Sequence, residues 1–331
     1  MASLWRLFPP WIFHPLRMVV AGWPRGSLPR SAAVAVLKSV ARGYRTALAD
    51  RLPSIRPLDR PDLSFASVDS MVMDAIYWFG VQGYEGKVAD VWIDACRRSQ
   101  SVLEIGGNVG LFTVIGGKVA TGSYTVVEPV PSIAGVLRRN LATNNLPRVD
   151  VLEAAVIAGP TEETVHLSIP DEGRSAPVGA FLAGASEVTD RGPAQSIPVR
   201  GIPFRDLLRG RDLVKIDAEG LEFALLSAAR DILIVERPTL LIEVLPESIQ
   251  LGTMLAELAR DAGYEILIIP EWGTADAMRV DPDQFTSSLP TLHRSKDGCE
   301  PKLWDQAAAF DDASGWLRLA GADGLSASAA Q

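Results

Sequence analysis

The chain has 331 residues, of which 47% are hydrophobic and 22% charged, a balance that suits a globular protein with a substantial buried core and excludes a disordered or fibrous one. At roughly 100 to 200 residues per domain, the length admits one enlarged domain or two small ones. The net charge of −8 argues against general affinity for phosphate backbones, so no nucleic-acid partner is expected.

Residues 1–49 hold Arg6, Arg17, Arg25, Arg30, Lys38, Arg42 and Arg45 and no acid, a local charge of +7 that leaves −15 on the remainder. Trp5, Phe8, Trp11, Ile12 and Phe13 lie among these cations. The mixture reads either as a loosely ordered basic arm or as a surface that docks on an anionic membrane or a partner. Pro9, Pro10, Pro15 and Pro24 are expected to break any long helix. The most apolar early stretch, Trp11 to Trp23, is interrupted by His14, Pro15 and Arg17, short of the roughly 18 unbroken apolar residues of a spanning helix. It also lacks a clear small-residue cleavage site, so the N-terminus is read as retained and the chain as cytoplasmic, with membrane contact at most peripheral. Two cysteines, Cys96 and Cys299, far apart and without CxxC spacing, fit that reducing setting and suggest neither a zinc site nor a disulfide framework.

From Ser70 to Arg98 the pattern is helical, with Val88, Val91, Trp92 and Ala95 on one face. Strands are predicted at Val102–Ile105, Tyr124–Val127, Val149–Leu152, Leu213–Ile216, Thr239–Ile242 and Glu265–Ile269, with helical patterns between most of them. Such alternation predicts a parallel sheet covered on both faces. Residues 159–210 form an unusually long connection, rich in Gly and Pro around Pro170 to Gly184 and with a short strand expected at Thr164–Ile169. Beyond Pro270 periodicity fades, and Ala320 to Gln331 read as a frayed tail. The organisation is therefore an N-terminal extension over 1–60, a catalytic domain over 61–270 and a C-terminal extension over 271–331.

Chemistry concentrates at the ends of the predicted strands. Val102-Leu-Glu-Ile-Gly-Gly-Asn-Val-Gly110 is an apolar strand entering a tight glycine turn, followed by a helix start at Leu111. Such a turn lets a ligand approach the backbone without meeting a Cβ. A dinucleotide fingerprint from Gly106 would need glycine at Asn108 and Leu111, and a Walker A loop fails at Phe112 and Val119. Glu104 at the strand end would repel a pyrophosphate but tolerate a ligand with an amino group and a sulfonium. Glu128, about twenty residues beyond the turn, stands where Rossmann-like sites place an acid on ribose hydroxyls. Leu213-Val-Lys-Ile-Asp-Ala-Glu-Gly-Leu-Glu222 ends a strand in an acid cluster of Asp217, Glu219 and Glu222, although helix capping alone accounts for at least one of these. Glu243 closes the next strand, so two acids on adjacent strand ends can divide roles, one of them as general base. His166, in the long connection, is a weaker candidate base.

VLEIGGNVGLFT, VVEPVPS and VKIDAEGLEFALL, preceded by Tyr84-Glu85, together resemble the FkbM family of methyltransferases over about Tyr84 to Ile269. The resemblance implies a Rossmann-like class I methyltransferase fold, a mostly parallel seven-stranded sheet with helices on both faces, and S-adenosyl-L-methionine as cofactor. It implies that Glu104, Gly106, Asn108, Gly110 and Glu128 line the cofactor, that Asp217, Glu219 and Glu243 face the acceptor, and that the reaction is O-methylation. Two departures are Gly107, where the family commonly has alanine, and Arg205-Asp206, where it usually has Leu-Asp. A hydroxyl of a sugar, glycolipid or polyketide-like metabolite is the expected small-molecule or glycan acceptor. The alternatives are a catalytically inactive cofactor-binding or interaction protein, and a version of the enzyme in which Asp217, Glu219 or Glu243 holds a divalent metal; no resident metal is expected. The oligomeric state is left open.

Overall fold

The computed structural model describes residues 9–23, 27–44, 49–170, 176, 179–182, 194–244, 249–269, 278–282 and 315–321. The side chains of Trp5, Arg6, Phe8, Pro24, Arg25, Arg42, Arg45, His293 and Cys299, and the tail from Ala322, lie outside what is described.

The N-terminal region is helical rather than a loose arm. A 3-10 turn at Pro10–Phe13 opens into α1 (His14–Gly22), and α2 (Leu28–Tyr44) follows. Pro15 sits in the first turn of α1, where a missing N–H costs nothing. Phe13, Val20, Ala33, Leu37 and Val40 are buried in the common core. After a short antiparallel pair, β1 (Ser54–Ile55) and β2 (Phe65–Ala66), come α3 (Met71–Phe79) and α4 (Gly86–Arg98). The single helical stretch predicted over Ser70 to Arg98 is thus two helices. Gly80 breaks it, with a left-handed φ of 76°, and the Asp59 carboxylate occupies the space of its absent side chain. That carboxylate accepts from Val81 N at 3.0 Å and Gln82 N at 2.8 Å, fixing the turn.

The core then alternates: β3 (Ser101–Ile105), α5 (Leu111–Gly117), β4 (Ser123–Val127), α6 (Pro131–Thr143) and β5 (Val149–Leu152). β6 (Ala155–Ile157), β7 (Glu163–Pro170), β8 (Phe181–Leu182) and β9 (Ala194–Pro203) form a separate four-stranded sheet in the order β6-β9-β7-β8. The long connection is therefore a β-arm with its own buried residues Leu167, Leu182, Val199 and Ile202. After α7 (Phe204–Leu208) the core resumes with β10 (Leu213–Ile216), α8 (Glu222–Ala228), α9 (Arg230–Glu236), β11 (Thr239–Val244), α10 (Ile249–Ala262), β12 (Tyr264–Ile269), β13 (Met278–Val280) and β14 (Gly315–Gly321).

The main sheet has the order β13-β12-β14-β11-β10-β3-β4-β5. β5, β4, β3, β10 and β11 are mutually parallel, and β14 inserts antiparallel between β11 and β12. The sheet has eight strands rather than seven because β13 adds an antiparallel edge to β12. β14, which includes Ala320, falls in the stretch expected to be an extension and tail, yet pairs on both sides within the sheet. From β3 the chain winds outward to β4 and β5, and from β10 it winds the other way to β11. With right-handed crossovers this puts the intervening helices on opposite faces and makes the β3–β10 junction the switch point, where a ligand crevice opens.

Two asparagines on α6 fasten the N-terminal segment to the sheet. Asn140, fully buried, donates to Val109 O at 2.7 Å and accepts from Ala66 N at 2.7 Å, while Asn144 bonds Ser64 through both its backbone groups. Asn140→Ala would leave a buried carbonyl and a buried N–H unpaired. It is expected to lower stability by roughly 1–3 kcal/mol, measured as a shift of the urea midpoint at unchanged slope.

Candidate active site

Register places the site. Val127, Ile105, Ile216 and Ile242 pair across β4, β3, β10 and β11. One residue further along each strand stand Glu128, Gly106, Asp217 and Glu243, a row at the carboxyl edge of four neighbouring strands. One residue back from the isoleucines, Val126, Glu104, Lys215 and Leu241 form a second row on the same face as the first, since side chains alternate.

The lower row carries a buried ion system. Lys215, 1% exposed, reaches Asp217 Oδ2 at 2.9 Å, and its ammonium lies 5.0 Å from the centroid of the Phe112 ring. Burial pulls its pKa down, but Asp217, Glu104 and Glu85 together carry it above the ordinary lysine value, so it stays charged. Glu104 is fully buried; burial pushes its pKa up to about 7, opposed by Lys215 and the Tyr124 and Thr113 hydroxyls. The Tyr124 hydroxyl donates to Glu104 Oε2 at 2.5 Å.

The glycine turn closes over this system. Gly106 has φ 79°, and a side chain there would collide with the Asp217 carbonyl. A methyl group at Gly107 would strike Val126, which is why alanine is absent from that position here. Gly106 N and Gly107 N both donate to Val127 O, and Gly110 N donates to Gly107 O at the entry to α5. Asn108, at φ 46°, turns its side chain onto Val109 N. Glu128 accepts from Asn108 N at 2.7 Å and from Val130 N at 2.9 Å. It therefore splints the turn, and each oxygen keeps a lone pair for a further donor. Burial raises its pKa to about 7 against those two hydrogen bonds.

On the other side of the crevice Asp217 is 28% exposed, and Glu219 holds a left-handed φ of 54°. Glu222 does not face the crevice: it accepts from Ala218 N at 2.8 Å and Gly220 N at 3.0 Å, fixing the loop between Asp217 and α8. Burial lifts its pKa to about 8. Glu243 is pushed well above the carboxylate range by burial, then by Asp217, Glu219, Glu222 and Glu85. Glu85 is the residue whose role the local sequence did not reveal. It is buried at the start of α4 with a left-handed φ of 47°, and both Lys215 and Glu243 feel its charge. Its signal is tertiary, because the packing of α4 on α5 brings it to the crevice. Lys215 had a local signal, a lysine inside an apolar strand. His166 is exposed on β7, 3.4 Å from Ser196 Oγ in the small sheet. Among the described residues no group of three or more His, Cys, Asp or Glu side chains could hold a metal ion. Arg205, where the resemblance departs, pairs with Asp231 at 2.5 Å and with the Ala228 carbonyl, tying α7 to α8 and α9.

A turn that admits backbone contact, a ribose acid and an acid-rich crevice at the switch point fit a cationic adenosyl ligand, and with this strand order they define a class I methyltransferase. Residues 104–266 match the methyltransferase FkbM domain. No curated protein matches the chain. Among solved structures it is similar to a methyltransferase FkbM from Methylobacillus flagellatus KT, at 16% identity over 80% of this chain and 58% of that one, TM-score 0.35. It is also similar to Pyrococcus abyssi tRNA (uracil-54, C5)-methyltransferase in complex with S-adenosyl-L-homocysteine, at 11% identity over 81% and 44%, TM-score 0.39. A third is precorrin-6y C5,15-methyltransferase from Geobacter metallireducens GS-15, at 12% identity over 71% and 87%, TM-score 0.34. Residues 104–266 thus carry an FkbM methyltransferase domain, and S-adenosylmethionine is the cofactor.

Glu128→Ala removes the splint together with the carboxylate expected to meet the cofactor ribose. Charged hydrogen bonds contribute about 1.5–3 kcal/mol each, so calorimetric affinity for S-adenosylhomocysteine is expected to fall roughly tenfold to a hundredfold, with NAD binding to neither form. A second expectation concerns pH. Glu104 and Glu128 at about 7 and Glu222 at about 8 keep protons that the unfolded chain, near 4.5, has released. Their contribution to stability is full below the unfolded value and declines as pH rises through the folded values. The ligand-free protein is expected to have a higher urea midpoint near pH 5.5 than near pH 8, with a shallower dependence in Glu222→Gln.

Proposed function

We propose that the enzyme O-methylates a hydroxyl of a sugar, glycolipid or polyketide-like metabolite by direct in-line transfer, with Glu243 as general base. The supporting observation is the placement of Glu243 beside Asp217 at adjacent strand ends, where burial and the surrounding acids drive its pKa well up. When bound, the cofactor supplies a methyl group activated by its sulfonium. The Gly106–Gly110 turn and Glu128 hold its adenosyl part. Asp217 is engaged by Lys215. Burial and the acids Asp217, Glu219, Glu222 and Glu85 all favour a proton on Glu243. A positive charge entering the crevice favours the ionised carboxylate, the form that can accept a proton. The carboxylate then takes the acceptor hydroxyl's proton. Asp217 and Glu219 orient the acceptor from the adjacent strand end. An acid-lined crevice in a chain of charge −8 also favours a neutral acceptor over a polyanion.

Glu243→Gln is expected to leave S-adenosylhomocysteine affinity nearly unchanged and to lower kcat by about a hundredfold or more on any accepted alcohol. The wild-type rate should rise with pH through an ionisation that is missing from the variant's profile; unchanged turnover in the variant would remove Glu243 from the role.

A further inference from the structure

Six of the seven large exposed hydrophobic side chains among the described residues belong to the N-terminal hairpin: Trp11, Ile12, Met18, Trp23, Leu28 and Val36. Trp11 is 70% and Leu28 86% exposed. Their spacing is helical. In α2, Leu28, Ala32, Ala35, Val36 and Ser39 share the outward face, while Ala33, Leu37 and Val40 face the core. Between Pro9 and Ala41, no exposed described residue is Asp, Glu, Lys or Arg, in a chain that is 22% charged. The cations stand beside this face: Arg30 and Lys38 are half-buried along α2, and no acid occurs anywhere in residues 1–49.

The face is held rigidly. Arg17 is buried, donates to Tyr77 O at 2.7 Å and stacks 3.7 Å over the Tyr77 ring. Phe13 packs edge-on against Trp78 at 5.9 Å, and Arg30 ties α2 to α1 through Val20 O at 2.8 Å. α1 and α2 thus rest on α3, which leads through the Val81–Gly83 turn to Glu85 at the crevice.

We infer that this hairpin docks the enzyme on an anionic lipid bilayer. Exposed tryptophans with aliphatic neighbours, in a segment whose charged residues are all cations, have the chemistry of an interfacial anchor. Basic residues near an anionic surface add electrostatic attraction to the apolar insertion. No described helix is long and apolar enough to cross a membrane, so the contact lies in the interface. A second copy of the chain is disfavoured as occupant, because a two-fold contact would oppose one +7 segment with its own image. A bilayer rich in anionic headgroups has the complementary charge.

The test is sedimentation of the full chain with vesicles of phosphatidylcholine alone and of an equal mixture with phosphatidylglycerol. The comparison is with a variant carrying Trp11→Ser, Met18→Ser, Trp23→Ser and Leu28→Ser. The native chain should bind the mixed vesicles at least about tenfold more strongly than either the neutral vesicles or the variant does. Binding should shift tryptophan emission to the blue and weaken with salt. All four substitutions are at exposed positions, so the thermal midpoint should stay; Leu28→Ser alone serves should it not. Equal binding by native chain and variant, or binding by neither, would overturn the inference. So would a lipid-free dimer that the same substitutions dissolve, since the face would then belong to a second copy. None of these readouts depends on the acceptor or on turnover.

Discussion

A lysine ammonium buried in the middle of a parallel sheet is the constraint around which the site is arranged. An unpaired charge there would cost several kcal/mol, so Lys215 holds Asp217 at the end of its own strand and takes Glu104 as its partner in register on the next. Those placements dictate others. The carbonyl of Asp217 presses against the start of the cofactor turn, which leaves room only for glycine at position 106. Glu104 needs a donor, which Tyr124 provides from β4. The three strands that meet the adenosyl ligand are therefore fixed to one another by a polar system beneath it, rather than by apolar packing alone.

That system is left with an excess of carboxylate. Asp217, Glu219, Glu222 and Glu85 all act on Glu243, and Lys215 is the cation that pairs with Asp217. Burial first, and the neighbouring acids after it, raise Glu222 and Glu243, and burial carries Glu104 and Glu128 up to about 7. A ligand that brings positive charge relieves this repulsion, and the gain is specific to its charge. A neutral thioether product relieves less of it.

The core strands were legible because each is a short apolar run bounded by turn residues, the pattern of a strand buried on both faces. The observed limits of β3, β4, β5, β10, β11 and β12 lie within two residues of those read from sequence. The acids at their ends followed, since strand order brings any residue just past a parallel strand to the same edge. What escaped was set by tertiary contacts. β14 is a glycine-bounded segment that pairs antiparallel between two strands far from it in sequence, and nothing local marks it. The helical pattern around Gly80 ran on through a break that depends on Asp59. Glu222 looked like one of several crevice acids until its two backbone donors gave it a capping role. The basic arm read as loose because its prolines were counted as breakers, although Pro15 and Pro29 fall in the opening turns of helices.

Acceptor choice follows from the same division. The matched domain over 104–266 contains the cofactor turn and the candidate base, the parts that any acceptor requires. Glu85 precedes that region, and the elements that position it are knit to the sheet by bonds peculiar to their own side chains: Asp59 to the Val81–Gln82 turn, Asn140 and Asn144 to Ser64 and Ala66, Arg17 to Tyr77. The β-arm reaches the same segment, where Ala176 N donates to Asp69 O. The N-terminal helices and the arm therefore meet beside α3, upstream of Glu85.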